Sequence, residues 1–348
     1  MRFMKIAQVK QYSVIVAASL AITLILSAIL IFPILNKDYE KSPIVQFVKS
    51  AERVILDIKL NLRGPVRASP DIVIAAIDES SLKALGRWPW PRKTMGSLLD
   101  TLKSHGAKVV AFDVVFSEAD LNNAFKLSKD IAAEYKNSGQ EDKNFEAFIK
   151  KKVAESNTDW KLAESIKEAQ EQVVLGYYWE AFQRDKQSVQ QKENTQVKLL
   201  DPSKLIIEHQ EISRESLRYS YPIGISALVN IDQFMQSAIH YGFLNAEPDL
   251  DSINRRVPLI VSYNHEVYPS FAFKAYAEFI DAESILVRTK ASEGYEDIKE
   301  ILILSPNGAK VVRPGYDGRL RINFRGPKKS YPYYKVHEIL NDQEHLEE

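Results

Sequence analysis

The chain has 348 residues, 45% hydrophobic and 26% charged, enough for one large folded domain or two small ones. Lys+Arg and Asp+Glu each number 46, so no net basic field exists to draw in nucleic acid, and none is expected as a partner. Cysteine is missing altogether, which excludes disulfides, Cys-rich zinc sites and a thiol nucleophile.

In chain order, the first strong signal is "SVIVAASLAITLILSAILIF", Ser13 to Phe32, an uncharged run of the length that spans a bilayer's hydrocarbon core. Arg2, Lys5 and Lys10 precede it, while Lys37, Asp38, Glu40 and Lys41 follow with no net charge. The positive-inside bias places residues 1–12 in the cytoplasm, a membrane helix at 13–34, and the remainder on the far side of the inner membrane. The run is longer than the core of a cleaved signal, and "PILNKDYEKSP" behind it offers no small-x-small cleavage site. A retained single-pass anchor is the expectation.

Residues 35–70 read as a juxtamembrane helix and linker. Ile44, Phe47, Val48, Ala51, Val54, Ile55, Ile58 and Leu62 form a stripe at helical spacing, with Lys49, Glu52, Arg53 and Lys59 at polar positions. This helix either packs on the domain that follows or pairs with another copy of itself. Its place between anchor and domain makes it a lever. "RGPVRASP", 63 to 70, is a breaker-rich exit.

Residues 71–348 are expected to form an α/β domain. "DIVIAAID", 71 to 78, reads as a buried strand, "PRKTMGSLLDTLKSHGA", 91 to 107, as a helix stopped at Gly106, and "KVVAFDVVF", 108 to 116, as a second strand. Strand, helix and strand within so short a span predict a right-handed βαβ unit whose strands are parallel neighbours in a mainly parallel sheet. Glu118 to Glu171 is helical in propensity, interrupted by "KNSGQEDKN", and "QVVLGYYW", 172 to 179, is a third strand. Arg184 to Glu215 is polar, with "DKQSVQQKENTQ" read as a disordered loop. Residues 240 to 270 predict a strand, an acidic turn, a second strand and a tight hairpin at Asn264, followed by a helix over 270 to 280. Asn-Gly and Asp-Gly turns punctuate C-terminal hairpins in 301 to 324.

Taken together, "VIAAIDESSLKALGRWPWPR", "LLDTLKSHGAKVVAFDVVFSEAD", "GFLNAEPDLDSINRRVPL", "YPSFAFKA" and "DGRLRINFRGP" resemble the CHASE domain of type 2. That family comprises extracytoplasmic sensors of bacterial transmembrane receptors. The resemblance implies a receptor that detects a ligand or protein partner outside the inner membrane and acts as a homodimer. It further implies a last core strand and more membrane helices after "VHEILNDQEHLEE", then a cytoplasmic adenylate cyclase, histidine kinase, diguanylate cyclase or serine/threonine kinase. Within the family pattern a glycine usually stands in the turn after Asp249, where this chain has Ser252 and Ile253, so the hairpin is expected to be shaped differently. No cofactor is called for. The alternatives are a membrane-anchored envelope scaffold and an extracytoplasmic enzyme.

The candidate ligand-binding residues are Asp78, Glu79, Arg87, Trp88, Trp90, Arg92, Asp113 and Glu118. "LGRWPWPR", 85 to 92, admits two readings. It is either a rigid elbow in which Pro91 opens a helix and the indoles cover the βαβ unit, or an aromatic shelf with Arg87 or Arg92 holding an anion. Asp78 and Asp113 close two strands, at the sheet edge where ligands of open α/β folds bind. The competing reading has Asp78 capping "ESSL" and Asp113 bonded to Arg92 or a backbone N–H. Asp249, Asp251, Arg255 and Arg256 read as a hairpin salt bridge rather than a calcium loop, and six histidines show no zinc spacing.

Overall fold

The computed structural model describes residues 43–120, 123–139, 142–180, 182–183, 197–208, 218–292 and 295–341, with Ser19, Leu20, Thr23 and Ser27. Nearly all of the expected membrane span at 13–34 lies outside the described residues, as does 184–196 of the polar loop. Among the described residues no helix is long and apolar enough to cross a membrane. The chain divides into two compact units, Met1–Ser69 with Phe324–Ser330, and Pro70–Asn323 with Tyr331–Glu348.

The first unit holds α1 (Pro43–Arg63), which ends where Gly64 turns the chain at φ +71°. Beside this turn the Arg63 guanidinium donates to the Phe324 carbonyl, and Val66 N donates to the Arg325 carbonyl at 2.7 Å.

The second unit begins with β1 (Ile74–Ala76), α2 (Glu79–Leu85), α3 (Arg92–Ser104) and β2 (Val110–Phe112). Pro91 opens α3 with φ −52°, where a missing N–H leaves no orphan, and Gly106 at φ +82° stops the chain just beyond it. Three helices follow, α4 (Asn123–Asn137), α5 (Lys143–Ser156) and α6 (Thr158–Glu168), then β3 (Val173–Trp179). After β4 (Phe182–Gln183) come a 3-10 turn at Val197–Ser203, β5 (Ile206–Glu208), β6 (Arg218–Tyr219), β7 (Ile223–Gly224), β8 (Ala227–Leu228), α7 (Asp232–Met235) and β9 (His240–Phe243). The remainder is β10 (Arg256–Pro258), β11 (Ile260–Tyr263), β12 (Glu266–Pro269), α8 (Phe271–Phe279), β13 (Ser284–Ser292), β14 (Tyr295–Ser305), β15 (Gly308–Val312), β16 (Arg319–Arg321), β17 (Tyr333–Lys335) and α9 (Val336–Asn341).

The fold is mixed α/β, and two expectations need correction. The sheets are mixed rather than mainly parallel. β2, β3 and β9 run parallel, but β10/β16, β11/β12, β13/β14 and β14/β15 are antiparallel. For β11/β12 and β14/β15 tight turns dictate this, since a two-residue loop joins only antiparallel strands. At Asn264 and His265 φ is +49° and +64°, the mirror-image turn whose twist suits a hairpin. The second correction concerns the βαβ unit. β1 does not pair with β2; it runs parallel to β17, with Ile74 opposite Tyr333, while β2 pairs with β3. Nor is "DIVIAAID" a buried strand, because Ile72, Val73 and Ile74 are all exposed.

Two apolar clusters build this unit. The first gathers Trp90, Leu99, Leu162, Ile166, Val173 and Leu175 around β2, β3 and β9, all but Trp90 fully shielded from solvent. Each such aliphatic side chain contributes roughly 1.5–3 kcal/mol by leaving water. The second joins Ile260, Val267, Ala277, Val287 and Ile301 beneath α8 and the long β13–β14 hairpin.

Candidate functional site

The aromatic–proline run forms the elbow between α2 and α3. Gly86 closes α2 at φ +93°, and its carbonyl accepts a 2.8 Å bond from the Trp90 indole. Trp90 is 1% exposed, and Trp88 meets it edge to face with ring centres 5.6 Å apart. Trp88 is half-buried beside it and Arg87 is exposed. Trp90 is therefore a core residue, although the βαβ unit it was expected to cover does not form.

Arg92 also faces inward. Its guanidinium lies 4.7 Å above the Phe116 ring, donates through Nη2 to the Glu118 carbonyl at 3.1 Å, and places Nε 3.5 Å from Asp159 Oδ1 on α6. Its backbone N–H donates to Asp120 Oδ2 at 3.2 Å, and the Asp120 N–H donates to Asp159 Oδ2 at 2.9 Å. The Thr158 hydroxyl donates to the same Asp120 oxygen. Burial pushes the Asp159 carboxyl above its ordinary range, against the pull of the Asp120 N–H and the Arg92 charge. The network ties the start of α3, the loop after β2 and the start of α6 to one another. Through one guanidinium hydrogen bond, to the Glu118 carbonyl, and the 3.5 Å ion pair with Asp159, whose facing Nε and Oδ1 make no hydrogen bond, Arg92 is a tie between elements.

Asp78 caps α2, accepting from Ser81 N at 2.8 Å and from the Ser80 hydroxyl at 2.8 and 2.9 Å. The Ser81 N–H is the main cause holding its carboxyl down at about 2, and Lys335 adds to it. Glu79 is exposed and pairs with Lys83 one turn on, at 2.8 Å. Asp113 and Glu118 are exposed on the loop that leaves β2. The bond drawn from Asp113 to Arg92 is not among those Arg92 makes; Glu118 meets Arg92 through its carbonyl only. Because β1 and β2 are not neighbours in a sheet, Asp78 and Asp113 do not close adjacent strands.

The acidic turn is closed by a salt bridge, although the strands on either side of it, β9 and β10, pair with β3 and β16 and not with each other. Arg255, 3% exposed, donates to Asp249 at 3.1 Å and Asp251 at 2.9 Å. Its turn is made by Ser252 at φ +63°, a left-handed residue where glycine would be at ease. Among the described residues no group of His, Asp and Glu is arranged to hold a metal ion.

Two polar clusters escaped the sequence reading. Ser81 is fully buried, and its hydroxyl lies 3.0 Å from His337 Nδ1 on α9. Their separation of 256 residues left no local signal. A serine shut away from solvent fastens α9 to α2 and offers no nucleophile to a substrate. The second cluster surrounds His240 at the start of β9, 9% exposed, with Glu278 Oε2 3.2 Å and Glu171 3.9 Å from its Nε2. Lys274, one turn before Glu278 on α8, closes on it at 2.7 Å. Burial, then the Lys274 charge, lowers the His240 pKa to about 4, so the ring is neutral at physiological pH.

The family model for the CHASE2 domain matches residues 24–348 of the chain. No curated protein and no solved structure matches it.

Proposed function

The chain belongs to the CHASE2 family, and from that premise we propose that it is the input half of a bacterial receptor whose output is a nucleotide cyclase or a kinase. CHASE2 domains are extracytoplasmic sensory domains of signalling receptors. The observation that carries the reading is the extent of the match, which begins inside the uncharged run and continues to residue 348. In this reading, 13–34 is a single-pass anchor and 71–348 faces the periplasm. The α1 helix between them passes a change in the sensor to the membrane.

The ligand or partner is placed at the exposed candidates, Glu79, Arg87, Asp113 and Glu118, since Trp90 and Arg92 are spent on internal contacts. The test is topological and enzymatic. Alkaline phosphatase, active only outside the cytoplasm, is fused after Leu62, and the reading frame is followed past codon 348. An active fusion and a downstream cyclase or kinase whose rate depends on residues 71–348 are expected. An inactive fusion overturns the anchored reading, and an output indifferent to the domain overturns the sensory one.

A further inference from the structure

We propose that α1 is the interface through which two copies of this chain associate, parallel and in register, along a seam of Val48, Ala51, Ile55, Ile58 and Leu62. The helix wears its apolar face outward. Phe47 is 74% exposed, Val54 57%, Ile58 50% and Leu62 83%, while the half-buried side mixes Lys49, Arg53 and Asp57 with Val45, Leu56 and Leu60. A soluble surface helix keeps its apolar stripe covered. Within its own compact unit, the other described segments are 64–69 and 324–330, and the bonds described between them and α1 lie at its C-terminal end. Short segments at one end do not cover a stripe running from Phe47 to Leu62. An outward apolar band of that length marks an association surface.

The spacing says what kind of partner fits. Steps of three, four, three and four residues give a repeat of 3.5, the period at which two helices stay in contact while coiling round each other. In that frame Val48 and Ile55 are β-branched residues at the position where such residues favour two parallel strands, and Ala51 lets the backbones close in. Glu52 and Lys59 fall on one flank of the seam, with Phe47, Val54 and Asn61 on the other. Two copies in register therefore set each charge against an uncharged neighbour, and no like charges face each other.

The chain ahead of α1 selects a second copy as the occupant. The uncharged run ends at Phe32, and α1 begins at Pro43 after a short tether. With that run anchored, every copy enters from the same side and starts α1 at the same height, so two α1 helices meet parallel with little left to align. The orientation rests on the anchored reading; the seam does not.

The lack of cysteine makes the test clean, because each introduced thiol is the sole thiol in its chain. Single substitutions V48C, A51C, I55C, I58C and L62C are compared with K49C, R53C and L60C in the full chain in its membrane. Facing positions of an in-register pair come within disulfide reach, so oxidation is expected to give covalent dimers at the seam about tenfold in excess over the other face. Uniform cross-linking, none, or an excess at 49, 53 and 60 overturns the proposal. Cross-links between V48C and L62C chains in place of like positions overturn the parallel arrangement. The double variant I55E/I58E in the detergent-extracted chain is expected to move the mass from dimer to monomer with unchanged tryptophan emission. A dimer that survives it overturns the seam. Neither readout involves a stimulus or an output domain, so both stand apart from the sensory assignment.

Discussion

Replacing Arg92 separates a residue that ties elements together from one that holds a ligand. Both partners of the Arg92–Asp159 pair are about nine-tenths buried, and their closest atoms are 3.5 Å apart. At an effective dielectric of about 20 that separation corresponds to roughly 5 kcal/mol of attraction, set against a desolvation penalty of several kcal/mol per ion. The net value of the pair is therefore small, but breaking it strands the Asp159 carboxylate, whose ionised form burial already disfavours. R92M is expected to destabilise the domain by about 3 kcal/mol, a fall in Tm of roughly 6–12 °C for a unit of this size. D159L alone strands the guanidinium and is expected to act similarly. The double variant R92M/D159L leaves two apolar side chains and is expected to recover about 2 kcal/mol or more relative to the sum of the two single losses. Urea unfolding of the detergent-extracted chain, followed by the emission of the buried Trp90 and Trp179, reads all four corners of the cycle. A loss below about 1 kcal/mol for R92M, or additive single variants, would refute the tie and return Arg92 to the candidates for an anion site.

Other expected outcomes follow from the same contacts. Ala at Gly242 would set its Cβ 2.4 Å from Phe271 Cα on backbone that cannot swing away, so G242A is expected to lose about 3 kcal/mol or more by thermal unfolding. G106A, with open space but φ +82°, is expected to lose only about 1 kcal/mol. His240 takes up its proton near pH 4 when folded and near 6.5 when unfolded. Stability that it supplies is thus complete above 6.5 and lost as pH falls toward 4, by at most about 3 kcal/mol. Urea midpoints of the wild type and H240Q across that window are expected to converge as pH falls, and parallel curves would contradict the assignment. D113A/E118A removes two exposed carboxylates and is expected to leave Tm within about 2 °C. In the full receptor it is expected to shift the response to stimulus, and an unchanged dose–response would remove that loop from the site.

What the sequence reveals about this fold depends on whether the cause is local. The stop of α3 follows from Gly106, whose lack of a side chain admits φ +82°. The β11–β12 hairpin follows from Asn264, and the Arg255 bridge from an acid four residues before it. β3 was readable because a strand flanked by parallel neighbours is apolar at nearly every position, and "VVLGYYW" is. Asp78 as a cap was readable for the same reason: its partners, Ser80 and Ser81, are its next neighbours but one and two. The helix 44–62 was legible as a stripe, but no spacing says which way the stripe faces.

The parts that could not be read are those in which one half of the cause lies elsewhere in the chain. Apolar β-branched residues made 71–78 a strand and 108–116 another, and proximity in sequence made them neighbours. The second inference failed because a hydrogen-bonding edge is indifferent to distance along the chain: β1 takes β17, near the far end, and β2 takes β3. Without a β1–β2 pairing there is no acidic pair on adjacent strand ends, although Asp78 and Asp113 each stand just past the end of their own strand. Arg92 shows the same limit in a side chain. Its position at the start of a helix after two indoles suits an anion, and nothing in "TDWKLAES" marks Asp159 as its partner. Only packing brings α6 against α3 and sets that carboxylate 3.5 Å from Arg92. A ligand site in this domain has to be sought among charges that folding leaves without such an internal claim, and Asp113 and Glu118, exposed on the loop after β2, are where that search begins.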